Sequence, residues 1–409
     1  MVFIGPQRDS SLLALLAVAI VDEDGSRQEQ FVRSRLLWTL EKERLLREGQ
    51  FSRCFRMSPG AFDKLCRMVS LELCLNPRTW KYRGAITVTN RLQMLLRYMA
   101  GGAVIDIRRI GGVSLPSFYR VLYDTSRAIV ALTELSIRFP MSSTERESIA
   151  RGFKVVSSGG IISGCIGAMD GWLCSIVTPP TRKVDQVAEG EDPGAGVRAY
   201  FSGHYGTMGI NAQAVCDHYC RFTYINASNP GGSNDVKAYR ESRIPWLVEG
   251  LERGLYVVTD NAYMATNHLL TPYTRPQIGD IIYRDSFNFH VSQVRIRVEM
   301  AFGLLVNKWR LFKSPLSVKL ENATLLIHCA AVLHNFVVNA RLKTTVNPVG
   351  HEISSLGELV GSFSLTDILA YDASDLADAG ATTSFVREGI VEKLKTQSQL
   401  RPHMPMNKQ

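Results

Sequence analysis

Apolar residues recur every three to four positions through much of residues 31–150. Residues 31–38 and 62–69 show this spacing clearly, and it is the period of an α-helix that buries one face. Ser58 and Pro59 mark the start of the second of these helices, because proline is favoured at the first helical position. The pattern predicts that the N-terminal part of the chain is helical.

Two helices separated by a glycine turn are predicted within this part. A short apolar helix at 105–110 leads into Gly-Gly-Val-Ser at 111–114, and a longer helix follows at 115–130. Ser114 is placed to cap the longer helix. The arrangement favours a helix-turn-helix-like element at about 105–130, although an ordinary helical hairpin has the same pattern.

The pattern changes after residue 152, where β-branched residues and glycines become frequent. Short apolar runs bounded by turn residues predict strands, and two of them, joined by a short turn, form a hairpin. Residues 179–205 are rich in proline, glycine and charge and are predicted to be a loop. Residues 161–177 are predicted to contain a strand that ends near Asp170 and Gly171, and further strands are predicted at 208–216, 221–227 and 255–259.

The remainder is predicted to be helical and then loosely structured. Helices are expected at 291–312, 325–338 and 384–395, and residues 396–409 have a disordered composition. The predicted organisation is a helical N-terminal domain at 1–155, an α/β domain at 156–345 and a partly disordered C-terminal tail at 346–409.

The basic charge is confined to the first part of the chain. Residues 1–169 contain 24 Lys and Arg against 15 Asp and Glu, whereas residues 170–409 contain 23 of each, so the +9 net charge lies in the first part. This favours a polyanionic partner, with nucleic acid the leading candidate, although a basic face that only aids solubility gives the same count. The residues expected to contact DNA are Arg108, Arg109, Tyr119 and Arg120.

Cysteine usage and hydropathy exclude some other classes. The eight cysteines form no CxxC pair, which fits a reducing compartment. Residues 12–21 are apolar but too short to span a bilayer, and only Arg8 is basic before them, so a core helix is predicted there. No other stretch predicts a membrane span, and no membrane partner is expected.

Three acidic residues lie at the ends of predicted strands or beside the apolar face of a predicted helix. Asp170 follows the first strand, Asp260 ends the short buried strand, and Glu299 borders the apolar stripe of a later helix. Strand, hairpin, helix, strand and helix is the order of an RNase H-like core, in which the first strand and the later one lie side by side. We therefore predict an α/β fold with an RNase H-like catalytic core and a mixed sheet.

Carboxylates gathered in this way can hold two Mg²⁺ ions for phosphodiester chemistry. Asp235 is a fourth candidate, because it begins the helix after the hairpin. Each residue also has a structural explanation: Asp170 as a turn former, Asp260 as a helix N-cap, Asp235 in a helix-opening turn, and Glu299 as the partner of Arg295.

At these residues the chain resembles the DDE superfamily endonucleases of the PIF/Harbinger type, which include plant transposon proteins. The likeness covers roughly residues 155–340. The motifs that carry it are Gly-Ala-Met-Asp-Gly at 167–171, Ala-Val-Cys-Asp at 214–217, Gly-Gly-Ser-Asn-Asp at 231–235, Thr-Asp-Asn-Ala-Tyr at 259–263, Arg-Val-Glu-Met-Ala-Phe-Gly at 297–303 and Leu-His-Asn at 333–335.

The resemblance implies a metal-dependent DNA transposase that acts in the nucleus with two divalent cations, Mg²⁺ or Mn²⁺. It would hydrolyse a phosphodiester at a transposon end in double-stranded DNA and then join the freed 3′-hydroxyl to target DNA. Such proteins commonly rely on a separate Myb-like protein for DNA binding. Assembly of several copies of the chain into a homo-oligomer is a further alternative. The implied catalytic residues are Asp170, Asp260 and Glu299, and the implied metal ligands are Asp170, Asp235, Asp260 and Glu299.

Two departures from the family pattern stand beside the carboxylates. Trp172 and Leu173 follow the first Asp-Gly where the family has a small residue and a histidine, and Thr259 replaces a glycine before Asp260. The leading hypothesis is an active transposase nuclease. The alternatives are a domesticated, catalytically silent DNA-binding protein and a metal hydrolase of small phosphate esters, which the basic N-terminal part disfavours.

Overall fold

The computed structural model describes residues 34–73, 86–180, 195–345 and 384–402. From Arg35 onward these residues belong to one compact unit. The helix predicted at 12–21 lies outside the described residues. The predicted domain boundaries at 155 and 345 stay predictions.

Helices dominate the described chain before the sheet. Ser58 caps one of them by accepting a hydrogen bond from the amide of Ala61 at 3.3 Å, with Pro59 in its first turn, as the sequence predicts. The helices are α1 (Trp38–Arg47), α2 (Phe51–Phe55), α3 (Pro59–Val69), α4 (Val88–Met99), α5 (Val104–Ile110), α6 (Leu115–Ala131) and α7 (Ser143–Val156).

The helix-turn-helix-like arrangement consists of α5, α6 and the turn between them. Gly112 has a φ of 63°, a left-handed conformation that favours glycine, and the Ser114 hydroxyl accepts from the amide of Ser117 at 3.3 Å. Phe118 and Leu122 of α6 are fully buried, and α6 packs on α4. The predicted succession of short helix, glycine turn and capped helix is confirmed.

A mixed six-stranded sheet forms the centre of the remaining part. Its spatial order is β2-β3-β1-β5-β6, with β4 paired to β3 as well. β1 pairs antiparallel with β3 and parallel with β5, and β3 and β4 form the predicted hairpin. The strands are β1 (Cys165–Ser175), β2 (Phe201–Ser202), β3 (Thr207–Cys216), β4 (Phe222–Pro230), β5 (Tyr256–Val258) and β6 (Leu269–Leu270).

Helices cover the sheet and confirm the RNase H-like core. The short helices are α8 (Ala195–Arg198), α9 (Asp235–Arg240), α10 (Ile244–Glu249) and α11 (Arg275–Ile278). The longer ones are α12 (Ile282–Lys308), α13 (Leu320–Thr345) and α14 (Phe385–Thr396). Part of the segment predicted to be a loop at 179–205 forms α8 and β2, whose short lengths give too little periodicity to detect.

The helix that carries Glu299 is longer than predicted. It begins at Ile282 rather than near residue 291, because Ser286, Asn288 and His290 are buried and break the apolar pattern. Asn288 explains one of these: its side-chain amide donates to the carbonyl of Tyr273 and accepts from the amide of Tyr273, at 2.8 and 2.7 Å. Buried polar residues are tolerated where their hydrogen bonds are satisfied in this way.

The C-terminal helix α14 packs on α12. Tyr273 donates from its hydroxyl to Glu388 at 2.9 Å, and Arg387 lies over the Tyr273 ring at 4.2 Å. The ordered contacts continue past the helix: the amide of Arg401 donates to the hydroxyl of Ser286 at 2.9 Å. The disorder predicted from residue 396 is therefore wrong up to residue 402, because these contacts order the chain.

α13 is apolar and long enough to span a membrane by length and composition over Leu320–Leu342. Two thirds of that window is buried inside the protein, however, and polar side chains of the same helix bond to the sheet. Thr324 donates to the carbonyl of Ala227 at 3.1 Å. α13 is therefore a core helix, as the sequence predicts.

The β3–β4 hairpin is bound to α13 through the Leu-His-Asn motif. Asn335 accepts from the amide of Phe222 at 2.8 Å and donates to its carbonyl at 2.7 Å. The Nε2 of His334 donates to the carbonyl of Cys220 at 2.8 Å. Asp217 accepts from the amides of Tyr219 and Arg221. The segment between Cys216 and Cys220, which joins β3 to β4, is therefore a turn, as predicted.

His334 should make the fold sensitive to mild acid. Burial lowers the pKa of His334 to about 4, while the bond to Cys220 opposes the shift. Because the unfolded histidine takes up its proton near pH 6.5, stability is present above that pH and is lost as the pH falls toward 4. The full loss is on the order of 3 kcal/mol.

Urea unfolding of wild type and His334→Gln at pH 7 and pH 4.5 tests this. The loss of unfolding free energy between the two pH values should be smaller in the variant, because glutamine can donate to Cys220 but does not titrate. His204→Gln, at an exposed position, serves as the control. Equal acid sensitivity of all three proteins would contradict the assignment.

Candidate active site

Asp170 of β1 and Asp260, two residues past the end of β5, lie at equivalent positions beside one another. Ala168 of β1 is in register with Val258 of β5. Asp170 follows Ala168 by two residues within β1, and Asp260 follows Val258 by two residues just past β5. The charge of Asp260 raises the pKa of Asp170, which shows that the two carboxylates are close. The parallel pairing therefore brings the two carboxylates to the same edge of the sheet.

α12 crosses this face of the sheet and adds Glu299. Trp172, two residues after Asp170, packs against Phe302 of α12 with ring centroids 5.7 Å apart. Arg295 lies between the acidic groups: its Nη1 is 2.6 Å from Oε1 of Glu299 and 4.0 Å from Oδ2 of Asp170. Asp170 and Glu299 therefore face one another across a single guanidinium.

The electrostatics of Asp170 reflect this crowding. Burial and the negative charges of Asp260 and Glu299 together raise the pKa of Asp170 to about 8, against the opposing effect of Arg295. Neighbouring carboxylates raise a pKa because each disfavours the ionised form of the other. The three acidic groups thus form one coupled electrostatic system in which added positive charge is favourable.

Asp260 also has a local structural role. Its Oδ1 accepts from the amide of Ala262 at 3.0 Å, which forms a turn after β5. This turn begins directly after β5. No helix begins at this point in the described chain, so the interpretation of Asp260 as a helix N-cap is wrong, and its side chain caps a turn instead.

Asp235 lies on the opposite face of the sheet. A Cβ on Gly171 would lie 2.5 Å from Oδ1 of Asp235, and Gly171 faces away from Asp170 because strand residues alternate. Asn211 and Gln213 both donate to this oxygen, at 3.0 and 2.9 Å. The structure therefore brings Asp170, Asp260 and Glu299 together but places Asp235 behind β1.

Asp235 ends a buried hydrogen-bond network that supports β1 from behind. Gln213 donates to Asp235 and accepts from the hydroxyl of Tyr263 at 2.7 Å. Burial raises the pKa of Tyr263, and the charges of Asp235, Asp170 and Asp260 raise it further, so the phenol stays protonated as a donor. The network links α9, β3 and the turn after Asp260.

The carboxylate oxygens of this site fit a hard divalent cation, although the three side chains do not lie close enough together to form a complete metal site. Carboxylate oxygens are the preferred ligands of Mg²⁺, and the raised pKa of Asp170 marks a position where a cation is favoured. In the described ranges, no three His, Cys, Asp or Glu side chains are already arranged to hold a metal ion. Glu299 is instead bound to Arg295.

The departures from the family pattern have packing explanations. Trp172 fills the space between β1 and α12, in contact with Phe302 and with Phe312 at 5.4 Å. Leu173 points to the other face, against Gly209 and Gly231. Neither side chain replaces the polar function of a histidine.

The residues expected to contact DNA occupy α5 and α6. Arg109 and Arg120 are exposed and Arg108 is half-buried. Tyr119 is half-buried between Phe118 and Tyr123, with ring centroids 5.3 and 6.1 Å away, so packing accounts for much of its surface. Arg109 and Arg120 are therefore accessible charges of this element, alongside the exposed Asp106 and Arg127.

Sequence reasoning missed the residues that connect the acidic groups. The sequence predicts Arg295 only as a partner of Glu299, whereas in the structure it also approaches Asp170. Asn211 and Gln213 were not singled out, although two amides within an otherwise apolar strand are a detectable signal of a buried polar network.

Residues 188–335 match the family described as DDE superfamily endonuclease. The matched segment is about a third of the chain; it includes Asp235, Asp260 and Glu299 but begins after Asp170. Comparison of the chain with curated proteins and with solved structures gives no significant match. The match and the RNase H-like fold together support a transposase-like nuclease, with DNA as the class of substrate.

A side chain at Gly171 should displace the hydrogen-bonded side chains of Asp235 and Gln213. In Gly171→Ala the new methyl group would meet Asp235 at 2.5 Å and Gln213 at 2.7 Å, so we expect a loss of about 1–3 kcal/mol of unfolding free energy. Gly389→Ala is the matched control, since no atom lies within 4 Å of its new methyl group and alanine favours the helix. Urea unfolding of both variants measures the difference, and equal stability would refute the close packing.

Proposed function

We propose that this chain is a divalent-metal-dependent DNA endonuclease of the transposase type that acts in the nucleus. The observation that carries the proposal is the convergence of three acidic residues: Asp260 lies close enough to Asp170 for its charge to act on it, and Arg295 lies between Asp170 and Glu299. The family match, which includes Asp260 and Glu299, supports it.

Asp170, Asp260 and Glu299 are the residues proposed to hold Mg²⁺ or Mn²⁺ through their carboxylate oxygens. When bound, two such cations neutralise the phosphate and lower the pKa of the attacking water. Asp235 is not proposed as a ligand, because its Oδ1 is engaged behind β1. It is a positioning residue that acts through Gln213 and the backbone at Gly171.

The side chains prepare the site in two ways. The carboxyl of Asp170, whose pKa is raised to about 8, has to lose its proton before it can act as a ligand. Arg295 has to leave Glu299 and is then free to contact a phosphate oxygen of the DNA. A cation held by these carboxylates would favour both changes.

The proposed reaction is hydrolysis at a transposon end. A water oxygen bonds to phosphorus as the bond from phosphorus to the 3′ oxygen breaks, and the leaving oxygen takes a proton to become a 3′-hydroxyl. That hydroxyl then attacks a phosphodiester of target DNA, displacing its 3′ oxygen. A Myb-like protein and a second copy of the chain are proposed partners in binding the ends.

A silent DNA-binding protein is the second candidate, and one observation favours it. Arg295 places a positive charge between Asp170 and Glu299, where it can substitute electrostatically for a cation. In that case the carboxylates would be structural, and removing one would leave Arg295 partly unpaired. Metal-dependent cutting distinguishes the two candidates.

Substituting one acidic residue tests the nuclease directly. Asp260→Asn should lower Mg²⁺-dependent cutting of duplex DNA about a thousandfold or more, because one charged ligand is lost from the reaction centre. DNA binding measured in EDTA should stay unchanged. Asp280→Asn, an exposed carboxylate outside the acidic cluster, is the matched control and should cut like wild type.

Equal cutting by wild type and Asp260→Asn would show that the activity does not depend on this site. If neither protein cuts DNA in Mg²⁺ or Mn²⁺ while both bind it, the silent DNA-binding protein is the correct function. Cutting by wild type alone supports the proposed nuclease.

DNA contact by the helix-turn-helix-like element is tested separately. Replacing Arg108, Arg109 and Arg120 by glutamine should weaken duplex binding and flatten its salt dependence, because up to three phosphate contacts are lost. Affinity titrations over a range of KCl concentrations measure the slope. An unchanged slope would place the DNA-binding surface elsewhere on the protein.

A further inference from the structure

The phenol of Tyr263 connects the turn that follows Asp260 to the interior of the sheet. Tyr263 lies three residues beyond Asp260 and is only 1% exposed. Its hydroxyl donates to Oε1 of Gln213 at 2.7 Å, and Gln213 is equally buried. The turn that contains Asp260 is therefore anchored in the core by a side chain that sequence analysis did not single out.

This hydrogen bond crosses the central strand. Gln213 of β3 is the register partner of Gly171 in β1, and β5 lies on the other side of β1. Tyr263 follows β5, so its hydroxyl has to pass β1 to reach Gln213. Gly171 leaves the room that the network occupies, since a Cβ there would lie 2.7 Å from Nε2 of Gln213. The bond ties the end of β5 to β3 across the strand that carries Asp170.

The direction of the bond is set by Asp235. A carboxylate oxygen accepts hydrogen bonds and cannot donate them. Oδ1 of Asp235 accepts from the side-chain amide of Gln213 at 2.9 Å, so the nitrogen of that amide points toward Asp235. The same nitrogen also donates to Oδ1 of Asn211 at 2.9 Å. The Gln213 oxygen is left for Tyr263, whose hydroxyl has to be the donor.

The position of Tyr263 is transmitted to Asp260 through the backbone. The amide of Ala262 donates to Oδ1 of Asp260 at 3.0 Å, and Ala262 is the residue directly before Tyr263. Fixing the Tyr263 side chain therefore restrains the peptide that orients the Asp260 carboxylate. The Tyr263 ring also packs edge-on against Tyr239 of α9, with centroids 5.6 Å apart, which limits its movement away from Gln213.

Loss of the hydroxyl would be costly at this place. The Gln213 oxygen would lose its donor inside a part of the core that water does not reach. A buried oxygen without a donor carries the full cost of its desolvation. The network therefore favours the one conformation of the turn in which the phenol reaches Gln213.

We infer that Tyr263 is a positioning residue for Asp260. Its hydroxyl, whose bond is oriented by Asp235 through Gln213, holds the turn at 260–263 in the conformation that presents the Asp260 carboxylate beside Asp170. The order of the turn is a property of the protein alone, whereas its effect on metal binding rests on the proposed function. Tyr263 contacts neither the metal nor the DNA in this role.

Hydrogen exchange in EDTA, followed by mass spectrometry of peptides, tests the order of the turn without a metal. Tyr263→Phe keeps the ring and loses the hydroxyl, so the amide of Ala262 should exchange about tenfold faster than in wild type. Exchange within β5 should stay at the wild-type rate. Tyr256→Phe is the matched control, because Tyr256 is a buried tyrosine of β5 whose hydroxyl accepts from the amide of Gly164, outside the network.

A pair of substitutions at Asp235 opens the same network from its other end. Asp235→Ala removes the acceptor that orients Gln213 and should also accelerate exchange at Ala262. Asp235→Asn should not, because an amide oxygen can accept the same hydrogen bonds. This pair keeps the inference testable if Tyr263→Phe does not fold, and equal exchange in the two Asp235 variants would overturn it.

Mn²⁺ binding, measured from the electron paramagnetic resonance signal of the free ion, follows the consequence for the metal. Tyr263→Phe should weaken binding about tenfold or more, because residues that orient a metal ligand contribute that much to affinity. Tyr256→Phe and Asp235→Asn should bind like wild type. Asp260→Asn removes a proposed ligand and shows whether the measured Mn²⁺ lies in the acidic site.

The outcomes separate this inference from the proposed nuclease. Faster exchange confined to the turn, with weaker Mn²⁺ binding, supports the inference. Exchange at the wild-type rate in Tyr263→Phe overturns it, as does equal acceleration in the turn and in β5. Unchanged Mn²⁺ affinity in Tyr263→Phe also overturns it if Asp260→Asn weakens binding, and the nuclease then stands. If wild type and Asp260→Asn bind Mn²⁺ equally, the nuclease site fails and the exchange measurement alone decides the role of Tyr263.

Discussion

Carboxylates that share one face of a sheet repel each other, and this repulsion is the constraint around which the reaction centre is organised. Burial and the charges of Asp260 and Glu299 raise the pKa of Asp170. Arg295 reduces the repulsion by lying between Asp170 and Glu299. The guanidinium of Arg295 and a bound metal cation would therefore compete for the same carboxylates. Because Arg295 and Glu299 both lie on α12, the position of this helix sets how strongly Arg295 binds them.

Contacts on both sides of β1 supply that support. On the face that carries Asp170, Trp172 packs on Phe302 of α12. On the other face, Asp235 and Gln213 pack over Gly171 where no side chain fits. The strand that carries the first carboxylate is thus fixed by aromatic packing in front and by hydrogen bonds behind, both of which depend on residues distant in sequence.

The elements and their order follow from the sequence because their patterns are local. The helical caps at Ser58 and Ser114, the β3–β4 hairpin and the short strand before Asp260 each carry a turn or cap signal within a few residues. The parallel pairing of β1 with β5 follows from that order. It brings Asp170 and Asp260 together as the element order predicts.

Features that depend on long-range packing are harder to predict from the sequence. The side of the sheet on which Asp235 lies is set by the path of the chain after β4, and spacing along the sequence does not determine it. The approach of Arg295 to Asp170 and the early start of α12 likewise depend on contacts between distant segments. Periodicity records which face of an element is buried but not which partner buries it.

The bonds between α13 and β4 have a consequence for association with other chains. Among the described strands, β4 pairs only with β3. Without α13, the outer edge of β4 would expose backbone groups that another strand could bind. Thr324 and Asn335 occupy this edge at Ala227 and Phe222. Eleven helical residues and five strand residues both span about 17 Å, so one straight helix covers the edge like an additional strand. The sheet is thereby closed to strand addition on this side.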